Sequence, residues 1–82
     1  MKEFASIPLN ADFELACYSV ASRVIVQHFK PDTPQDHCRR KDALIAALIN
    51  YPSGSLQWNN REVSWRIVFV DKVPLLVVWV GE

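Results

Sequence analysis

The chain is short of most features that announce a chemistry. It holds only two cysteines, Cys17 and Cys38, in 82 residues, and with no apolar leader read ahead of them a disulfide framework of the secreted kind is not expected. Neither sign of charge dominates: nine Lys and Arg balance nine Asp and Glu. No global field therefore draws the protein toward nucleic acid, an anionic membrane or an acidic substrate. Long apolar runs are missing too. The longest spans Val73 to Val80, far short of the roughly 20 residues that cross a bilayer. There is no internal repeat, low-complexity tract or dividing linker, so residues 1–82 read as one domain, and a cytoplasmic setting is expected without membrane association.

Metal and cofactor chemistry find equally little. Cys17, His28, His37 and Cys38 are of suitable ligand type, but no pair has C-x-x-C or H-x-x-x-H spacing, and neighbouring His37 and Cys38 diverge on a helix. No cofactor and no metal are expected. A thiol catalyst needs a lowered pKa beside a base, a condition that Cys38 next to His37 meets only loosely. Cys17 falls on an apolar stripe, where a thiol serves as a small hydrophobe.

What the chain does have is apolar bulk. Half of its residues are hydrophobic, which is rich for a length that buries roughly 60% of its unfolded surface. The last twenty residues concentrate this bulk. Val63, Trp65, Ile67 and Phe69 alternate with Ser64 and Arg66, but Val68 and Val70 then fall on the face that should be wet. After Asp71-Lys72, the run from Val73 to Val80 abandons alternation altogether. Such a hairpin needs cover on both faces.

Upstream, periodicity predicts two helices. The first is expected from about Ala11 to Phe29, with Asn10 as N-cap and Lys30-Pro31 as its end. At about 100° per residue, Phe13, Cys17, Val20 and Val24 form one apolar stripe, and Leu15, Tyr18, Ile25 and Phe29 a second, as in a helix packed between two elements. The second helix begins with Thr33 as N-cap, Pro34 at the first position and Asp36 at the third, an acidic variant of the capping box. It runs to Asn50, polar for two turns and then apolar through Leu44, Ile45, Leu48 and Ile49. Ser55 to Trp58 alternate as a strand, and Asn59-Asn60 suits a tight hairpin turn. Residues 3–9 read either as a short edge strand or as an apolar arm. The expected class is α+β: two helices on a three-stranded antiparallel meander, with a possible fourth strand at the N-terminus.

Two functional classes follow. The first is a non-catalytic protein–protein interaction module, a small regulatory, inhibitory or assembly protein. It would associate as a homodimer, or with a larger protein partner, through the outer face of the C-terminal hairpin, at Val68, Val70, Leu76, Val78, Trp79 and Val80. The second is directed at nucleic acid, an RNA binder or a ribonuclease using Arg39, Arg40, Arg61 and Arg66. Consecutive Arg39, Arg40 and Lys41 splay over about 200° of a helix, however, and cannot all face one ligand. The order strand, helix, helix, three strands is similar to that of ribonuclease toxins of the RelE and ParE type. That similarity would imply an RNA-cleaving site drawing on His37, Arg39, Arg61 and Arg66, but no residue motif accompanies it. Trp58 and Trp65 suit either a base-stacking platform or the core, with the core the commoner fate.

Overall fold

The computed structural model describes residues 1–81 and is of the α+β class. Its order is β1 (Lys2–Pro8), α1 (Phe13–Val24), a π-helical turn (Ile25–Phe29), α2 (Pro34–Asn50), β2 (Ser53–Trp58), β3 (Arg61–Val70) and β4 (Val73–Gly81). The four strands form one antiparallel sheet in the order β1-β4-β3-β2. The N-terminal segment is thus a true edge strand, and the helices it precedes pack on one face of the sheet.

Register decides which residues face the helices. Asp71 and Lys72 both take positive φ, 51° and 68°, the type I′ geometry whose twist matches that of the flanking strands. The turn has only two residues, so Val70 pairs with Val73, Val68 with Leu75, Ile67 with Leu76 and Trp65 with Val78. Leu76, Val78 and Val80 therefore share the side of Val63, Trp65 and Ile67, and the core gathers there with Ile7, Cys17, Val20, Val24, Leu44 and Leu48. Full burial of each large aliphatic side chain is worth about 1.5–3 kcal/mol. Trp65, only 4% exposed, satisfies its indole by donating Nε1–H to the Tyr51 carbonyl at 3.1 Å, as a buried tryptophan must.

The first helix departs from a uniform α period. It starts at Phe13, with Asp12 rather than Asn10 at the N-cap position and no side-chain cap bond; Asn10 Oδ1 instead accepts from the Asp12 N–H at 2.9 Å. From Ile25 the chain widens into a π turn that closes with Lys30 N–H donating to the Ile25 carbonyl at 2.8 Å. The wider turn advances less than 100° per residue, which swings Phe29 back toward the face of Val24 and buries it with Ile25. The expected second stripe is thereby split, and Leu15 and Tyr18 stay exposed on the outer surface of α1. The second helix forms as its sequence dictates: Thr33 Oγ1 accepts from Asp36 N–H at 3.1 Å, and burial is confined to Leu44, Ile45 and Leu48.

Two backbone positions are under tension of opposite kinds. A Cβ at Gly54 would lie 2.7 Å from Trp65 Cζ2, because the indole lies across its cross-strand neighbour. Gly54→Ala is expected to destabilise the fold by about 1–3 kcal/mol, the usual cost of overpacking, read as a lower midpoint in chemical denaturation. Lys72 holds a left-handed conformation that costs a non-glycine residue roughly 1 kcal/mol. Lys72→Gly should raise the same midpoint by the equivalent of about 0.5–1 kcal/mol, with the hairpin register unchanged.

Candidate functional site

Among the described residues no helix packs on the far side of the sheet in the middle of the hairpin. Along β3 this side carries Glu62, Ser64, Arg66, Val68 and Val70, and along β4 it carries Leu75, Val77 and Trp79, as the cross-strand pairs require. Beside them run Ser6 and Pro8 of β1 and Ser53, Ser55 and Gln57 of β2. The face is therefore graded. Toward the β3–β4 turn it is apolar, through Val68, Val70, Leu75 and Val77. Toward the other end it turns polar around Ser64 and Glu62, with a depression of about 460 Å³ lined by Met1, Ser53, Ser64, Arg66 and Trp79. Arg66 lies over the Trp79 ring, 5.3 Å from its centroid, so its stem shields apolar surface while its charge stays in water.

The hairpin also outreaches its neighbours. Pairing with β2 stops at Arg66 and pairing with β1 stops at Leu75, so the pairs Phe69–Pro74 and Val70–Val73 are flanked on neither side. Phe69 is 69% exposed, Val70 50% and Val73 53%. A two-stranded arm with an apolar tip is thus presented to its surroundings, a condition that isolated hairpins sustain poorly in water.

Three of the six interface residues expected from sequence are corrected by the register. Leu76 and Val78 are buried beneath the helices, and Val80 packs against the same core; Val68, Val70 and Trp79 lie on the open face. Leu75 and Val77 point to that face instead, Leu75 half-buried and Val77 only 5% exposed. The signal that identifies them was present in the two-residue turn, which sets opposite parity for β3 and β4 once Val70 is paired with Val73.

The four arginines considered for nucleic acid do not gather. Asp36 ties up two of them, pairing with Arg39 Nη2 at 2.8 Å and Arg40 Nε at 2.9 Å. Arg40 also stacks on Trp58 at 4.7 Å, and Trp58 meets Phe29 edge-on at 4.9 Å, so this tryptophan belongs to the helix side and is no open stacking platform. Arg61 donates from Nη1 to the His28 carbonyl at 2.8 Å. Arg66 alone stands on the open face. The hydrogen bonds from Arg40 and Arg39 hold the Asp36 carboxyl below the usual aspartate value. The sign is that of a depressed acid: the stability it adds is complete above the ordinary aspartate range, near 3.9, and is lost as pH falls through the lowered folded value.

The remaining chemistry stays dispersed. Among the described residues no group of three or more His, Cys, Asp and Glu is placed to hold a metal ion, and no helix is long and apolar enough to cross a membrane. Burial, with a smaller contribution from Glu14, pushes the Cys17 thiol up to about 11, while Cys38 is exposed. The chain matches no protein-family model, and comparison with curated proteins and with solved structures gives no match.

The two thiols should separate cleanly by reactivity. A chromogenic disulfide reagent at pH 8 is expected to modify Cys38 alone in the native protein and both cysteines in denaturant, and Cys38→Ser should abolish the native signal.

Proposed function

We propose that the protein is a non-catalytic interaction module whose working surface is the outer face of the β3–β4 hairpin, and that its partner is a second copy of itself. The observation that supports this reading is the apolar strip of half-buried Val68 and Leu75 and exposed Val70, continuous with a hairpin tip that no other described strand flanks. Soluble monomers seldom leave contiguous apolar surface of more than a few hundred Å² open, and a β-branched segment of low charge is an aggregation hazard when bare. Two features favour a twin. A single self-complementary patch is what a two-fold interface uses, and a formal net charge of zero sets no repulsion between copies. The apolar end of the face is bordered on one side by Arg66, Ser64, Glu62 and Gln57, a polar margin of the kind that edges an interface core. A regulatory, inhibitory or assembly role follows from binding alone, with no reaction required.

Light scattering across a size-exclusion peak should return a multiple of the 9.4 kDa chain mass, insensitive to salt because the contact is apolar. Val70→Asp and Leu75→Asp should each shift it to the monomer with the helical circular dichroism kept, whereas Leu76→Asp should unfold the chain. A wild-type protein that stays monomeric at high concentration would remove self-association from the reading, and an assembly untouched by both exposed substitutions would remove this face.

A further inference from the structure

A second surface, on the opposite edge of the molecule, joins two backbone irregularities. The register between β1 and β4 slips at Phe4, between the pairs Glu3–Trp79 and Ala5–Val78. This bulge lets Phe4 and Ala5, although consecutive, both pack toward the helices. Opposite it, the π turn at the end of α1 displaces Gln27 and His28 from the places a regular helix would give them. Between the two lies a pocket of about 360 Å³ lined by Lys2, Glu3, Phe4, Arg23, Gln27, His28 and Val80.

We propose that this pocket binds a small phosphate monoester. Its lining brings the cations Lys2 and Arg23 together from different elements, against the single acid Glu3, and among the described residues neither cation makes an ion pair. Arg23 is held in place without a carboxylate: its guanidinium lies 5.5 Å from the Phe4 ring centroid. A stacked guanidinium keeps its in-plane N–H fork for an oxyanion, the geometry that makes arginine the preferred phosphate reader. Lys2 adds a point charge, and the Gln27 amide can donate beside it.

The end of a helix is ordinarily a poor place for an anion, since the free carbonyls there are negative. In this fold two carbonyls of the closing turn are occupied. Arg61 Nη1 donates to the His28 carbonyl and Lys30 N–H to that of Ile25, each at 2.8 Å. His28 fastens the turn to the sheet, its Nε2 lying 3.1 Å from the carbonyl oxygens of both Glu62 and Gly81. Two acceptors on one ring nitrogen require that Nε2 carries the proton. The pocket wall is thus pinned to the ends of β3 and β4. The volume is larger than a bare phosphate fills and stands at the small end of ligand sites, and Phe4 and Val80 offer apolar contact to the remainder of the molecule. This inference stands apart from the sheet-face association and survives its failure.

The test is a titration of the 15N-labelled wild-type protein with phenyl phosphate at constant ionic strength and pH, followed by amide shifts, with inorganic phosphate and phenol as separate arms. Saturable shifts centred on Lys2, Phe4, Arg23 and Gln27 are expected, with phenyl phosphate at least several-fold tighter than inorganic phosphate and no saturation with phenol. Arg23→Gln, at an exposed position, should weaken binding at least tenfold, and Lys2→Ala several-fold. Arg39→Ala, which removes an exposed cation elsewhere, should leave it unchanged. Absence of saturable shifts would overturn the proposal, as would equal weakening by Arg39→Ala and Arg23→Gln, or phenol binding as well as its phosphate.

Discussion

The two-residue turn at Asp71-Lys72 is the constraint on which the rest of the molecule depends. It pairs Ile67 with Leu76 and so commits alternate residues of two long apolar strands to opposite sides of the sheet. Every later packing decision inherits that parity. The helices find Trp65, Leu76 and Val78 together on one side because the turn admits no other register without moving each side chain to the wrong face. The same parity turns Val68, Leu75 and Val77 to the other side, where no described helix packs over them. The burial of one face and the bareness of the other are a single consequence of one turn.

The π turn plays the complementary part on the helical layer. A regular helix through Phe29 would carry that ring away from the core, since Phe29 lies in phase with Tyr18 rather than with Val24. One wide turn restores it, and the ring then meets Trp58, which in turn supports Arg40 and the start of α2. The widened backbone is secured from the sheet by His28 and Arg61, so a local irregularity in one layer is stabilised by polar contacts from the other. Two arginines are consumed in this work. Arg40 and Arg61 are joints between helices and strands, whereas Arg39, though paired with Asp36, and Arg66 remain exposed on separate surfaces.

Much of the fold was legible in the sequence, and the reasons differ by element. The second helix announced itself through Thr33, Pro34 and Asp36, because capping is a local interaction decided within four residues. The hairpin was legible from its apolar composition, yet the face of Leu76, Val78 and Val80 was not read, since a strand apolar at every position gives no alternation and parity had to come from the turn. The π turn left no periodic trace: a shift of phase over five residues is invisible in a wheel drawn at constant angle, and only burial of Phe29 reveals it. The first strand became certain only through its partner. Lys2 to Pro8 carries little pattern of its own and is a strand because β4 offers it an edge. At the open face the residue types were read correctly and half of the positions were not, for the same reason of parity.

The sheet order has a further meaning for how the chain folds. Among the described residues β1 is the first strand in chain order, and it pairs only when β4, the last of the four, reaches it. Until then β1 has no hydrogen-bond partner for its backbone and the two helices have no Leu76 or Val78 to pack on. Productive folding must therefore bring β1 and β4 together across the intervening helices and strands in one late event, a long-range closure that is slow. Throughout that wait the apolar β3–β4 hairpin is the piece most able to form alone. The protein is consequently at its most adhesive while that closure is pending, when its bare hairpin is the surface that a neighbouring copy would meet.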